Sequence, residues 1–284
     1  MSGYARSAPT SNGARMGADP ETAAAAPPAG PLAATLVLEV PAGDAAVPRL
    51  ELADWAARFG LVAGITTRLG GFSLGLWSEE AVGQVMTRWR AFRRVFEPRF
   101  PTLVLGHQVH GTTVQWHENL PPGWIVLDGV DGHATAQTGV LLSITVADCI
   151  PVYLAIPDRG VVALLHAGWR GVAAGVLEQG VETLAGHANA SRRSIVMHCG
   201  VGICGNCYEV GSEVAEKLNG RPGEAGQSYV DLRSILAARA ANLGIREVTI
   251  STFCTAHHKD RFYSHRASGG RDGRMVAYLG RPLA

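Results

Sequence analysis

From Val140 to Gly171 the chain is almost continuously apolar, interrupted by Asp148-Cys149 and by His166. Two β-rich runs, Cys149–Ile156 and Val161–His166, flank Pro157-Asp158-Arg159-Gly160, a four-residue turn sequence that predicts a tight hairpin. With Ile156 opposite Val161, Cys149 and His166 fall at diagonal positions on one face, Cβ atoms roughly 7–8 Å apart or less. A thiol and an imidazole then meet at one end of a buried ribbon, which is metal-ligand geometry.

The pattern predicts further elements on either side. Strands are expected at Ala34–Val40, Leu61–Thr67, Leu103–Leu105, Thr112–Trp116, Ser194–His198, Glu247–Phe253 and Met275–Leu279. Helices are expected at Trp55–Arg58, at Glu79–Phe96 (apolar at Val82, Val85, Met86, Trp89, Phe92 and Val95), at Val172–His187, at Glu213–Leu218 and at Arg233–Leu243. Asp128–His133 reads as a polar, turn-rich segment, and it lacks the acidic ladder and closing Glu of a calcium loop. Residues 1 to about 33, rich in Ala, Pro, Gly and Ser, read as a disordered leader with no signal-peptide pattern, and Met16 is an alternative start. No repeat of fixed period is present.

Composition narrows the class. At 284 residues, 47% hydrophobic and 17% charged, the chain has material for a sizeable core. A net charge near +1 gives no general electrostatic case for nucleic acid or an anionic membrane, and no long uncharged apolar run predicts a membrane span. Five cysteines, an odd number in a chain of this size, point to a reduced, cytoplasmic setting rather than a disulfide framework.

Three constellations carry candidate chemistry. The first is His110, Cys149 and His166: two imidazoles and a thiolate suit a catalytic zinc site with a fourth position open. The competing reading is a buried structural thiol beside a satisfied core histidine, and a Cys–His nucleophile pair would use the same geometry. Asp148 could serve as a base, orient a ligand or pair with an arginine. The second is Cys199-x4-Cys204-x2-Cys207 with Cys254 downstream, which matches plant-type iron–sulfur spacing but sits in a poor context for it; structural zinc or buried thiols fit better. The third is anionic recognition. Arg68 precedes a Gly-Gly turn, and Arg170-Gly171 lies where a Gly-rich turn enters a helix, so the helix N-terminus with Arg170 is a candidate phosphate pocket, weighed evenly against an ordinary turn. A Ser-His-Asp hydrolase is weak because no Gly-x-Ser-x-Gly elbow occurs.

On these residues the sequence resembles the laccase-domain family, described variously as multicopper polyphenol oxidase and as purine nucleoside phosphorylase. The motifs are Gln108-Val-His110-Gly111, Ala147-Asp-Cys-Ile-Pro151, His166-Ala-Gly-Trp-Arg-Gly171, Cys207-Tyr-Glu-Val-Gly211, Phe262-Tyr-Ser-His-Arg266 with Gly273-Arg274, and Arg68-Leu-Gly-Gly71 with Ser73. The resemblance spans roughly residues 60 to 280. It implies an α/β (α+β) fold, β-sheets sandwiched between helix layers, as one catalytic domain over residues 34–284. It implies zinc on His110, Cys149 and His166; by the Irving–Williams order a His/Cys site would also take Cu2+ in vitro. It implies phosphorolysis of adenosine, inosine and S-methyl-5'-thioadenosine, together with adenosine deamination. Asp148, Cys149 and Arg170 would then be catalytic, and Arg68, Arg170 and Gly171 would bind phosphate or ribose. The segment Gly75–Gly83 departs from the family pattern. The partners would be a nucleoside and phosphate, with no nucleic acid or membrane, and the chain would be a monomer or weak homodimer.

Rival functions are an amidase editing peptidoglycan precursors, a copper-dependent polyphenol oxidase and a non-enzymatic binding protein. The oxidase reading is countered by the lack of any His-x-His in the chain.

Overall fold

The computed structural model describes residues 34–42, 46–219, 221–222 and 227–284. These belong to the unit running from Pro31 to Ala284. The expected leader, with Met16, lies outside the described residues.

The central hairpin pairs Ile150–Ile156 with Val161–Ala167, Ile156 opposite Val161 and Pro151 opposite His166. Its turn is a 3₁₀ segment, Pro157–Arg159, closed by Gly160 at φ 61°. Both strands are buried throughout, and their alternation feeds two separate cores. Ile150, Val152, Leu154, Val161, Ala163 and Leu165 face a layer of helices; Tyr153, Ala155, Val162 and Leu164 face a second sheet. A strand buried on both faces must be apolar at both parities, which is why this stretch reads as a run rather than an alternation.

The hairpin sits at the centre of a seven-stranded sheet, in the order Thr35–Val37, Glu247–Ser251, Val196–Cys199, Ile150–Ile156, Val161–Ala167, Gly132–Thr135, Val114–His117. A second seven-stranded sheet runs Val40–Pro41, Arg49–Glu51, Val62–Thr66, Met275–Gly280, Val140–Val146, Thr102–His107, Gly123–Asp128. Val140, Leu142, Ile144, Met275, Ala277 and Leu279 of the second sheet meet the first. Its other face, with Leu141, Val276 and Tyr278, packs on the helix Val82–Phe96. On the far side of the first sheet lie the helices Val176–Ala188 and Leu232–Asn242. The fold is therefore α/β, two sheets back to back between helix layers.

The helix Val82–Phe96 buries Val85, Trp89, Phe92 and Phe96, one stripe at three- and four-residue steps. Trp89 also donates its indole N–H to the Leu74 carbonyl at 3.0 Å, which satisfies the only polar atom of a fully buried ring. Burial of each such large side chain contributes about 1.5–3 kcal/mol.

Several expectations need correction. Val82, expected on the buried stripe, is 66% exposed, because the helix begins there. Ala34–Val40 is not one strand: Thr35–Val37 joins the first sheet and Val40–Pro41 the second. The expected helix Val172–His187 is two helices, Trp169–Ala174 and Val176–Ala188, separated by Gly175 at φ 94°. Asp128–His133, read as a polar turn, turns directly into the fully buried strand Gly132–Thr135. That strand joins Val161–Ala167 on one side and Val114–His117 on the other.

Candidate metal centre and the cavity around it

Three chain segments end at one edge of the two sheets. Cys149 immediately precedes the strand Ile150–Ile156, His166 lies one residue from the end of its partner, and His110 sits in the loop after Thr102–His107. The donor atoms of His110, Cys149 and His166 lie within 4.8 Å of one another. Cys149 Sγ is 3.9 Å from His110 Nε2, and the two imidazole rings stand edge to face at 4.8 Å.

A buried carboxylate missed in the sequence organises two of these three residues. Asp131 is fully buried, and its Oδ1 accepts from the His110 N–H at 2.9 Å and from His166 Nδ1 at 2.9 Å. Its Oδ2 accepts from the Val109 and Gly111 N–H groups at 3.1 and 2.7 Å. Its main-chain carbonyl accepts the His166 N–H at 2.7 Å. Engaging Nδ1 leaves Nε2 as the free donor atom of His166, the arrangement by which a carboxylate orients a ligating histidine. Burial pushes the Asp131 carboxyl up, but His166 and the surrounding N–H groups outweigh it and hold it below its ordinary value.

Cys149 and His166 perturb each other. Burial pushes the thiol up, yet the two imidazoles outweigh it and bring Cys149 down to about 6. Burial pushes His166 down, yet Cys149 and Asp131 outweigh it and bring the ring up to about 9. The pair is thus a thiolate beside a cationic ring, and a divalent ion would replace the proton between them. Two imidazoles, one thiolate and an orienting carboxylate fit such an ion, with room for a fourth ligand.

The approach of the ligands depends on a glycine. A Cβ on Gly168 would stand 2.8 Å from His110 Cδ2 and 3.0 Å from Cys149 Sγ. Backbone strain sits at the same place: His110 and Asp148 adopt left-handed φ of 61° and 80°. Asp148 holds its conformation by accepting from Thr255 Oγ1 at 2.5 Å and from the Arg266 N–H at 2.6 Å.

The three ligands line a cavity of about 490 Å3, within the usual range of about 300–1,000 Å3 for small-molecule sites. Its walls include Asp148, Arg170, Arg266 and Arg274. Aromatic surface comes from Trp77, Trp169 and Tyr208. Trp77 is 48% exposed and stacks on His107 at 4.4 Å between centroids. Arg170 is exposed and lies over the Trp169 ring at 4.5 Å.

Two expected phosphate contacts lie elsewhere. Arg68 is not among the lining residues; it pairs with Asp272 at 3.4 Å and covers Tyr263. Gly171 is buried in a six-residue helix, where a Cβ would meet the Gly111 carbonyl at 3.0 Å, so it is a packing glycine. Arg266 and Arg274 were visible only as parts of motifs, and Trp77 only as a departure from the family pattern.

The cysteine constellation also changes membership. Cys199 points into the helix-side core, where burial pushes its thiol up to about 12. Cys204, Cys207 and Cys254 instead gather with His257, which the spacing of Cys199 had obscured.

Residues 62–282 match the sequence profile of the family described as multi-copper polyphenol oxidoreductase laccase. The chain belongs to this family. Within the laccase-like family it is similar to the purine nucleoside phosphorylase YlmD of Geobacillus stearothermophilus, 32% identical over 248 residues, 78% of this chain and 90% of that protein. The crystal structure of that protein superposes with a TM-score of 0.79 at 28% identity, covering 86% of this chain and all of the other. A purine nucleoside phosphorylase of Deinococcus radiodurans is 36% identical over 182 residues, 62% of this chain and 69% of its own length. A relative from an unknown prokaryote, adenosine deaminase RL5, is 32% identical over 160 residues, 52% of this chain and 61% of its own. Among the described residues no helix is long and apolar enough to cross a membrane.

Proposed function

We propose that the protein is a zinc-dependent purine nucleoside enzyme. It would cleave adenosine, inosine and S-methyl-5'-thioadenosine with phosphate to the free base and the sugar 1-phosphate, and deaminate adenosine. The observation that carries this reading is the convergence of His110, Cys149 and His166 on a cavity walled by three arginines. The names of the relatives supply the substrate class.

Zinc is the ion we assign, because two imidazoles and a thiolate are its usual catalytic donors; copper would also bind tightly, so its presence in a preparation decides nothing. When bound, the ion supplies a Lewis acid and lowers the pKa of water. The chain's own groups do the rest. Arg170, Arg266 and Arg274 present cationic heads to a phosphate, and the exposed face of Trp77 offers a surface on which a purine can stack. In phosphorolysis a phosphate oxygen bonds to C1' while the C1'–N9 bond breaks and the base leaves with the electron pair and gains a proton. In deamination water bonds at C6 and ammonia leaves. Asp148 positions this apparatus: both its oxygens are already engaged, and it ties the backbone at Cys149 to that at Arg266. Arg68 pairs with Asp272, whose main-chain carbonyl accepts from the cavity-lining Arg274. Five free thiols suit a cytoplasmic compartment.

The test is phosphate-dependent release of hypoxanthine from inosine by metal-replete protein, followed chromatographically. Release is expected, and Cys149→Ala should abolish it. The reading fails if no nucleoside turns over, and it yields to the amidase alternative if a muropeptide amide is hydrolysed instead.

A further inference from the structure

Outside the cavity a second set of soft donors converges. Cys204 Sγ, Cys207 Sγ, Cys254 Sγ and a nitrogen of His257 all lie within 4.8 Å of one another. His257 sits between two of the thiols, with Nδ1 3.9 Å from Cys204 Sγ and Nε2 3.1 Å from Cys207 Sγ. All of these cysteines are free. Zinc–sulfur bonds of about 2.3 Å set tetrahedral sulfur–sulfur edges near 3.8 Å, so the cluster needs only a small contraction to close on an ion.

The sequence spacing supports the geometry. The donors come as two short chelates, Cys204-x2-Cys207, which has the spacing of closed structural zinc sites, and Cys254-x2-His257, which is equally short. Cys207 and Tyr208 donate their N–H groups to the Cys204 carbonyl, which curls the first chelate into a tight turn. The Cys204 N–H donates to Cys254 Sγ at 3.3 Å, so the backbone already supplies the second-sphere hydrogen bond that a metal thiolate accepts. No carboxylate belongs to the set, which selects a soft-ligand metal over magnesium or calcium.

We propose that Cys204, Cys207, Cys254 and His257 form a second zinc site, closed and structural, distinct from the open triad in the cavity. Its place in the fold gives it a purpose. Ile203, next to Cys204, donates its N–H to the Asp148 carbonyl at 3.0 Å. Thr255, next to Cys254, donates its hydroxyl to the Asp148 carboxylate. The two chelates therefore grip, from either side, the residue that precedes Cys149. An ion joining them clamps the left-handed backbone at Asp148 and holds Ile203 and Tyr208 against the cavity.

The experiment uses full-length Cys149→Ala protein, in which the cavity triad is disabled. After zinc loading and desalting it should retain about one zinc per chain by elemental analysis. Cobalt in its place should give the strong visible bands of a tetrahedral thiolate site. His257 is exposed, so its substitution leaves packing intact: His257→Ala on the same background should lose the metal, and His257→Cys should keep it. Peptide mapping gives a measure that does not depend on any cluster variant: zinc should slow alkylation of Cys204 and Cys207, and a chelator should restore it. Retention of no zinc by Cys149→Ala, or equal alkylation with and without zinc, would overturn the proposal. So would a Cys204–Cys207 disulfide in protein purified under reducing conditions.

Discussion

Replacing Asp131 by Asn changes one atom and should undo the cavity site. The carboxylate accepts four hydrogen bonds at its two oxygens, from three backbone N–H groups and His166. An amide keeps one acceptor oxygen and turns the other into a donor, so two of the four donors face an N–H group whichever way it is turned. If the amide nitrogen faces His166, the ring must reverse its tautomer and place its proton on Nε2, the atom needed by an ion. If it faces Val109 and Gly111, the loop that holds His110 left-handed loses its anchor. Hydrogen bonds to a charged group contribute about 1.5–3 kcal/mol each, so two lost bonds cost about 3–6 kcal/mol. At about 2–4 °C per kcal/mol for a chain of this size, the metal-free protein should melt on the order of 6–24 °C lower. Zinc affinity at the cavity site should fall about 10–100-fold, the usual effect of removing a ligand's carboxylate partner. The assays are calorimetry with chelator present and zinc competition against a chromophoric chelator. Unchanged zinc affinity in a folded Asp131→Asn protein would refute the reasoning, because it would mean that Asp131 does not set the tautomer of His166.

Gly168→Ala pushes a methyl group against His110 and Cys149; overpacking of this kind costs about 1–3 kcal/mol, and turnover should fall at least about tenfold, so wild-type turnover in a kinetic assay would count against the close approach. Trp77→Ala removes the exposed stacking face; at about 1–3 kcal/mol for base stacking, KM for inosine should rise about 5–150-fold with kcat less affected, and an unchanged KM would exclude Trp77 from purine binding. Burial holds His117 down at about 4, and burial with His117 nearby holds His133 at about 3. Their folded values lie below the unfolded one, so their stabilisation is complete above about pH 6.5 and is lost as pH falls toward 4, on the order of 3 kcal/mol for His117. Denaturant unfolding of metal-free protein should show this slope, shallower by about 1.4 kcal/mol per pH unit in His117→Gln, and parallel slopes would contradict it.

Local signals carried most of what the sequence revealed. The hairpin was readable because its turn and both apolar runs are contiguous, and register follows from the turn, which placed Cys149 beside His166. Asp131 was hidden because Asp128–His133 is made of turn-forming residues. What makes Gly132–Thr135 a strand is pairing on both sides with segments distant in sequence. The break at Gly175 was hidden because apolar spacing runs through it; the left-handed φ there depends on where the two helices must pack. The membership of the cysteine cluster turned on a side-chain direction: Cys199 belongs to a strand and faces the core, while Cys254-x2-His257 carries the same two-residue spacing as Cys204-x2-Cys207. The motifs favoured Arg68 for phosphate and gave Arg266 and Arg274 no role, because a motif gives residue type and not direction.

One strained backbone belongs to a member of the cavity triad, His110, and the other, Asp148, precedes a second member, Cys149; aspartate carboxylates outside the triad hold both. A non-glycine residue in the left-handed region costs about 1–3 kcal/mol, so His110 and Asp148 should relax unless the surroundings forbid it. At His110 the surroundings are the three N–H groups of Val109, His110 and Gly111 converging on Asp131, a charged acceptor whose bonds outweigh the strain. At Asp148 the roles reverse: the strained residue is itself the acceptor, held by the Thr255 hydroxyl and the Arg266 N–H, each more than a hundred residues away in sequence. One ligand is therefore set by an anchor at the sheet edge, and another by an anchor that depends on a distant turn and a short helix being in place. The second arrangement is the more fragile, since Thr255 lies in a turn and Arg266 in the four-residue helix His265–Ser268, both outside either sheet. The zinc site proposed on Cys204, Cys207, Cys254 and His257 would brace that anchor from the residue next to Thr255.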